Sequence, residues 1–184
     1  MAAEADKIYA GPGIFIWGVD ENGVPETDSV VFDMTQGGIR FYTETTYYEP
    51  TIDQTGTAAI DTFTTGTIGR VEFDTPDMDF GKVVKFNANA SEVVDATDPD
   101  KVKYQVTGLA GKRLPRKRAM IQPQGVTDPA RFIYLESCGI KFDANAQFML
   151  DDNQKFTINA TAYPDLNATP RGLLYTWGDI TATA

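Results

Sequence analysis

The feature that most limits the possible folds is a strict alternation of apolar and polar side chains in several separate segments. Val71 and Phe73 alternate with Arg70, Glu72 and Asp74. Val102, Tyr104 and Val106 alternate with Lys103, Gln105 and Thr107. Phe156, Ile158, Ala160 and Ala162 alternate with Lys155, Thr157, Asn159 and Thr161. A period of two marks a strand with one buried face and one wet face. Turn signals separate these runs, at Asp20–Pro25, Gly37-Gly38, Asp53–Gly56, Asp95–Asp100 and Gly108–Lys112. Two further turn signals, Asp143–Asn145 and Asp151–Asn153, flank Phe148-Met149-Leu150 in hairpin fashion. Many strands at fairly regular spacing predict a mainly β fold, two packed antiparallel sheets forming a sandwich or partial barrel.

Individual segments refine that picture. Ile8 to Val19 reads as a strand apolar on both faces, bent at Gly11-Pro12-Gly13. Val30 to Phe32 reads as a short strand, and two long extended stretches follow, Ile39 to Ile52 and Ala58 to Asp74. Arg131 to Phe142 and Gly172 to Thr181 complete the strands. One short helix is predicted after Asp74, with Thr75 as cap, Pro76 at its first position and Asp77 and Asp79 at its positive end. Phe80, Val83 and Val84 supply its apolar stripe, and it fades from Asn87 to Ala90. The 184 residues, 42% hydrophobic and 11% aromatic, suffice for one core. The expectation is a single domain over residues 1–184, with flexible arms at Met1–Lys7 and Thr181–Ala184 and a long hairpin around residues 37–74.

Chemistry finds little purchase. The chain has no histidine, so the commonest general base and metal ligand are both missing. Its one cysteine, Cys138, sits among apolar neighbours and reads as a buried, inert thiol. Gly11-Pro12-Gly13 fails as a phosphate loop, because Pro12 has no amide hydrogen and a strand follows it. Asp95, Asp98 and Asp100 lack EF-hand spacing and read as a solvated acidic loop. With 26 acidic residues some carboxylate pair is inevitable, so such a pair carries no glycosidase signal. The expectation is no enzyme, no cofactor and no metal. Met1 to Lys7 lack the basic start and apolar run of a secretory leader, and no apolar run reaches membrane-spanning length, so cytosolic folding is expected. The Asn-x-Ser/Thr triplets at Asn89, Asn159 and Asn167 then read as chance.

Charge points toward partners. A net charge of −10 disfavours ordinary nucleic-acid binding. Against that background Lys112-Arg113-Leu114-Pro115-Arg116-Lys117-Arg118 is the sharpest local feature. A basic strip on an acidic chain suits the acidic face of another copy, so Lys112, Arg113, Arg116, Lys117 and Arg118 are the candidate subunit contacts. A basic strand edge kept in solvent is the plainer alternative. The stretches from Gly37 to Asp74 are too long and too polar to be buried in so small a domain, and exposed strand edges invite pairing with another chain.

Asp6-Lys7-Ile8-Tyr9-Ala10-Gly11-Pro12-Gly13 followed by an apolar strand resembles the opening of phage tail tube (major tail) proteins. Tyr47-Tyr48-Glu49-Pro50-Thr51-Ile52-Asp53-Gln54 resembles the family's passage from a strand into a long loop. Ala58 through Gly66, then Arg70-Val71-Glu72-Phe73 before a helix, resembles its next strand and single helix. The likeness covers the first half of the chain, and the second half only in general character. It implies two packed antiparallel sheets flanked by a helix, in hexameric rings whose sheets join into one barrel. It implies rings stacked into a virion tail tube, built in the host cytoplasm, through which DNA passes without specific binding. Tail tip or baseplate, terminator and tape-measure proteins are the implied partners, with or without a sheath, and no membrane. Because such lumens are commonly acidic, Glu44, Glu72 and Asp74 on the polar parity are the lumen candidates. The rivals are the tube protein of a bacterial secretion or contractile injection system, and a monomeric β-sandwich binding module using Trp17, Trp177 or the Tyr42/Tyr47/Tyr48 group.

Overall fold

A computed structural model describes residues 12–51, 56–77, 79–142 and 155–182. The chain is mainly β. Its strands are β1 Gly13–Val19, β2 Pro25–Phe32, β3 Gln36–Tyr48, β4 Phe63–Thr75, β5 Ala90–Val94, β6 Val102–Val106, β7 Lys117–Pro123, β8 Ile133–Phe142, β9 Phe156–Tyr163 and β10 Tyr175–Trp177. One helix, α1 Phe80–Phe86, lies between β4 and β5, and a 3-10 turn at Pro129–Arg131 leads into β8. The opening motif before Pro12, the arm Met1–Lys7, Asp53-Gln54 and the turns around Phe148 lie outside the described residues.

The large sheet is antiparallel, in the order β2-β1-β7-β8-β9-β4-β3. Strand β8 is its spine. Along one edge β9 pairs with Ser137 to Phe142, and β10 takes the remaining stretch, Ile133 to Leu135. The sheet curls back on itself. Strands β1 and β4 stand four places apart, which would separate them by about 19 Å in a flat sheet. Yet the rings of Phe15 and Phe73 lie 5.3 Å apart, and those of Phe32 and Phe73 5.4 Å apart. The enclosed core also takes Trp17, Val30, Val71, Leu135, Cys138, Ile140 and Ile158. The result is the sandwich-like partial barrel expected from the alternation, built from one continuous sheet with a small second sheet beside it. Strand β1 is covered on both faces, as its composition requires: Phe15 and Trp17 enter this core, while Ile16 and Val19 join Met120, Phe132 and Tyr134 on the other side.

The helix closes one opening of the barrel. Phe86 reaches the rings of Trp17, Phe32 and Phe142 at 6.0 to 6.5 Å. Its cap is Asp79, whose side chain accepts from the Gly81 amide at 2.8 Å, and not the expected Thr75. Thr75 still belongs to β4, opposite Phe156, and its hydroxyl donates to the Met34 carbonyl at 2.8 Å. The buried stripe is Val83 and Phe86, not Phe80, Val83 and Val84: Phe80, the first helical residue, lies at the rim against Tyr104 and Phe156 and stays 40% exposed. Lys82 and Lys85 donate to the carbonyls of Val31 and Ser29, so the helix covers the β2 edge of the sheet over its second half.

Val102 to Val106 also differ from the expectation. They are not half-buried within the main sheet. They pair with β5 in a separate two-stranded ribbon, exposed along the whole of β6. The expected last strand, Gly172 to Thr181, shortens to the three residues of β10.

Candidate assembly surface

The geometry singles out the hairpin β3–β4. Each strand has 13 residues, paired from Gln36↔Asp74 to Tyr48↔Phe63. Only the lower part of β4, Gly69 to Thr75, is backed by β9. The six residues Phe63 to Ile68, roughly 20 Å of strand, lie beyond the last β4–β9 pair, Gly69↔Ala162. Among the described residues the outer edge of β3 has no strand partner, and unlike the β2 edge no helix covers it. Along this upper part both faces are exposed apart from Thr45 and Thr67, whose hydroxyls meet across the strands at 3.1 Å. Near its end stand Tyr47, Tyr48, Ile60 and Phe63, all exposed. Tyr48 and Phe63 face each other across the hairpin, while Tyr47, its partner Thr64 and the adjacent bulge belong to the opposite face.

The three lumen candidates fall on one face, the outer face of β4 and its neighbours, as their parity implied. None of the three carboxylates is bare. Glu44 takes a hydrogen bond from Arg70 Nε at 2.8 Å, and that carboxylate holds the Arg70 guanidinium above its ordinary pKa. Glu72 accepts from the Tyr42 hydroxyl at 2.6 Å, which raises the phenol's pKa. Asp74 accepts from Thr157 at 2.7 Å and faces Lys155 Nζ at 3.6 Å. Arg40 lies opposite Glu72 and packs over the Tyr42 ring at 4.6 Å. The face is therefore a mosaic of both signs.

The basic run is divided by the fold. Lys117 and Arg118 enter β7 and are engaged within the chain. Lys117 Nζ meets Glu26 at 2.7 Å and Asp28 at 2.5 Å. Burial opposes its charge, but these two carboxylates outweigh that, and its pKa is raised. Arg118 donates through Nε to Glu136 at 2.8 Å, and a second guanidinium nitrogen meets the same oxygen. The Glu136 side chain is only 4% exposed. It carried no signal in the sequence, because Ile133 to Ile140 reads as an apolar strand in which one acid stands for a wet face. Arg116 stacks on the Tyr163 ring at 3.7 Å. Lys112 and Arg113 remain exposed, Lys112 donating to the Ala88 carbonyl at 3.0 Å.

The ribbon adds a surface that was not foreseen. Its register places Val94, Val102, Tyr104 and Val106 on one face. Tyr104 stacks on Phe80 at 6.0 Å, but Val106 is 64% and the nearby Leu109 61% exposed. The pattern was readable: Val93-Val94 and Val102 flank the Asp95–Asp100 turn as a hairpin would. In that turn Asp95 accepts from Thr97 and the Asp98 amide, which holds its carboxyl below the usual range, and Asp98 pairs with Lys101 at 2.9 Å. The aromatics proposed for a binding module are scattered. Trp17 is buried, its indole donating to the Cys138 carbonyl at 2.8 Å, while Trp177 is exposed on β10. Among the described residues no group of three or more His, Cys, Asp or Glu side chains converges as a metal site would. Among the described residues no helix is long and apolar enough to cross a membrane. No protein-family model matches the chain, and no curated protein matches it.

Proposed function

We propose that the chain is a structural subunit that assembles with copies of itself into a tube of stacked rings, hexameric as in phage tails, through which DNA passes. The observation that carries this reading is the hairpin β3–β4, projecting past β9 with an uncovered outer edge. An exposed strand edge of this length is a pairing template, and closing the sheet across copies removes it. The β2 edge is covered by α1 at Ser29 and Val31, so β3 is the longer uncovered edge of the large sheet and the one offered to a second copy. The resemblance in the first half of the chain names the kind of assembly, and the hairpin lies within that half. If the outer face of β4 lines the channel, Glu44, Glu72 and Asp74 meet the DNA together with Arg40 and Arg70. Net repulsion there then comes from the charge of the whole chain more than from these three groups. The tube of a bacterial secretion or contractile injection system would use the same surfaces.

Negative-stain electron microscopy across a concentration series tests the proposal. Six-fold rings or hollow tubes are the expected result. A sample that stays monomeric at high concentration, and with tail-tip components added, overturns it.

A further inference from the structure

The self-assembly reading says that copies meet; it does not say where the projecting end of the hairpin goes. Two exposed apolar patches on this chain stand out by what surrounds them. The first is the pair Tyr48 and Phe63, 59% and 52% exposed, on one face of the hairpin end. Glu49 follows Tyr48 and Asp61 stands two residues before Phe63, next along the hairpin toward the Thr51↔Ala59 bridge. Both carboxylates are exposed, and neither has an ion-pair partner among the described residues. The second patch is Val106 and Leu109 at the open end of the β5–β6 ribbon. Thr107 binds the Asn89 carbonyl at 2.9 Å, and Lys112 binds the Ala88 carbonyl at 3.0 Å. These bonds draw the basic pair Lys112 and Arg113 to the same end of the ribbon.

The patches are complementary in both respects. One offers aromatic rings with two acids close in sequence; the other offers aliphatic side chains with two cations at the same end of the ribbon, while Glu92, opposite Tyr104 on the Val106 face, lies farther along it. Tip against tip would oppose four carboxylates, and ribbon against ribbon would oppose four cations. From this complementarity we infer that the hairpin end of one copy docks on the ribbon of a second copy, Tyr48 and Phe63 against Val106 and Leu109, with Glu49 and Asp61 facing Lys112 and Arg113. The contact is head-to-tail, so it propagates along a series of copies and does not stop at a pair. It also covers a two-stranded ribbon, an element marginal when left bare. Two rings more than half exposed bury roughly 100 Å² apiece, well short of the roughly 800 Å² per partner of a stable pair. The contact therefore acts inside a larger assembly and is to be sought there.

The inference rests on the self-assembly reading, and its test separates the two. Tyr48→Cys and Val106→Cys are made in separate chains; both positions are exposed, so folding loses little. The native thiol does not interfere: Cys138 is buried, and burial pushes its pKa up to about 12. The two variants are mixed, assembled, treated with a short bis-maleimide and resolved under denaturing conditions, while the assembly is imaged. Covalent dimer that forms in the mixture, and at least tenfold less in either variant alone, is expected. Rings or tubes with no excess of dimer in the mixture overturn this contact and leave the self-assembly reading standing. Dimer from Y48C alone means tip against tip and likewise overturns it. Absence of any assembly, for the variants and the unmodified chain alike, overturns both.

Discussion

Glu136 is a carboxylate held inside an apolar sheet by one guanidinium, with Thr176 Oγ1 3.4 Å from its second oxygen. Removing the cation leaves a buried charge without compensation. Arg118→Ala should therefore lower stability by about 3 kcal/mol in urea unfolding, and Arg118→Lys, which loses the fork, by a smaller amount. The Lys117 cluster is more exposed and acts through pH. The hydrogen bond from Lys117 holds the Asp28 carboxyl below its ordinary value of 3.8, against a smaller opposing effect of burial. Hydrogen bonds from Thr97 and Thr181 lower Asp95 and Asp179 likewise. A depressed carboxyl stabilises the fold above its unfolded value, and that contribution disappears as pH falls through the folded value. The urea midpoint should fall between about pH 5 and about pH 2, and Asp28→Asn should make the fall shallower; an identical slope would refute the assignment. The residue scale also shows why the intrachain pairing of two of the five basic residues, Lys117 and Arg118, was not legible in the run itself. Lys117 and Arg118 look no different in sequence from Lys112 and Arg113. Their partners Glu26 and Asp28 lie on β2, about 90 residues away, and Glu136 on the next strand, β8, and the β2–β1–β7–β8 register brings them together.

At the scale of elements, strands were legible wherever one face met the core and the other met water. That is why β9 was read with nearly its true bounds, and β4 at its alternating C-terminal half, while the expected start at Ala58 fell five residues before Phe63. The alternation of β6 misled because a ribbon with one apolar face has the same period as a half-buried strand; what covers that face is not written in the segment itself. The helix was placed correctly in order but began four residues late, because Thr75 serves the sheet before it can serve a helix. Asp79 then does the capping in a helix of only seven residues. Asp79→Ala should lower stability by about 1 kcal/mol, while Thr75→Ala, which strands the Met34 carbonyl and the Asp77 amide, should also disturb the β2–β3 connection. Denaturant titration with amide exchange at residues 33–36 distinguishes the two outcomes. The projecting hairpin was foreseen as a long exposed stretch around residues 37–74. Its aromatic end was visible as Tyr47-Tyr48, but not the pairing with Phe63, which depends on the bulge after Thr46.

For the whole molecule the decisive event is the curling of the sheet, and one residue reports on it. A side chain at Gly13, at the start of β1, would begin 2.9 Å from Ile39 Cδ1 on β3, the strand at the far edge of the sheet. Glycine here lets the two ends of the sheet approach. Gly13→Val should cost about 1 to 3 kcal/mol by forcing them apart, and Ile39→Ala in the same chain should restore part of that loss, read by thermal unfolding of single and double variants. The curl could not be taken from the sequence, since no local pattern states which strands meet across a core. The hairpin leaving this barrel is a beam clamped over half its length. From Thr75 to Gly69 it is fixed by β9; beyond that it bends as a two-stranded ribbon, with its pivot near Gly69. Amide exchange in the free subunit should be slow below that pivot and fast above it. A beam held this way carries load along its axis yet yields sideways, so neighbouring copies can settle at slightly different angles without straining the barrel that anchors them.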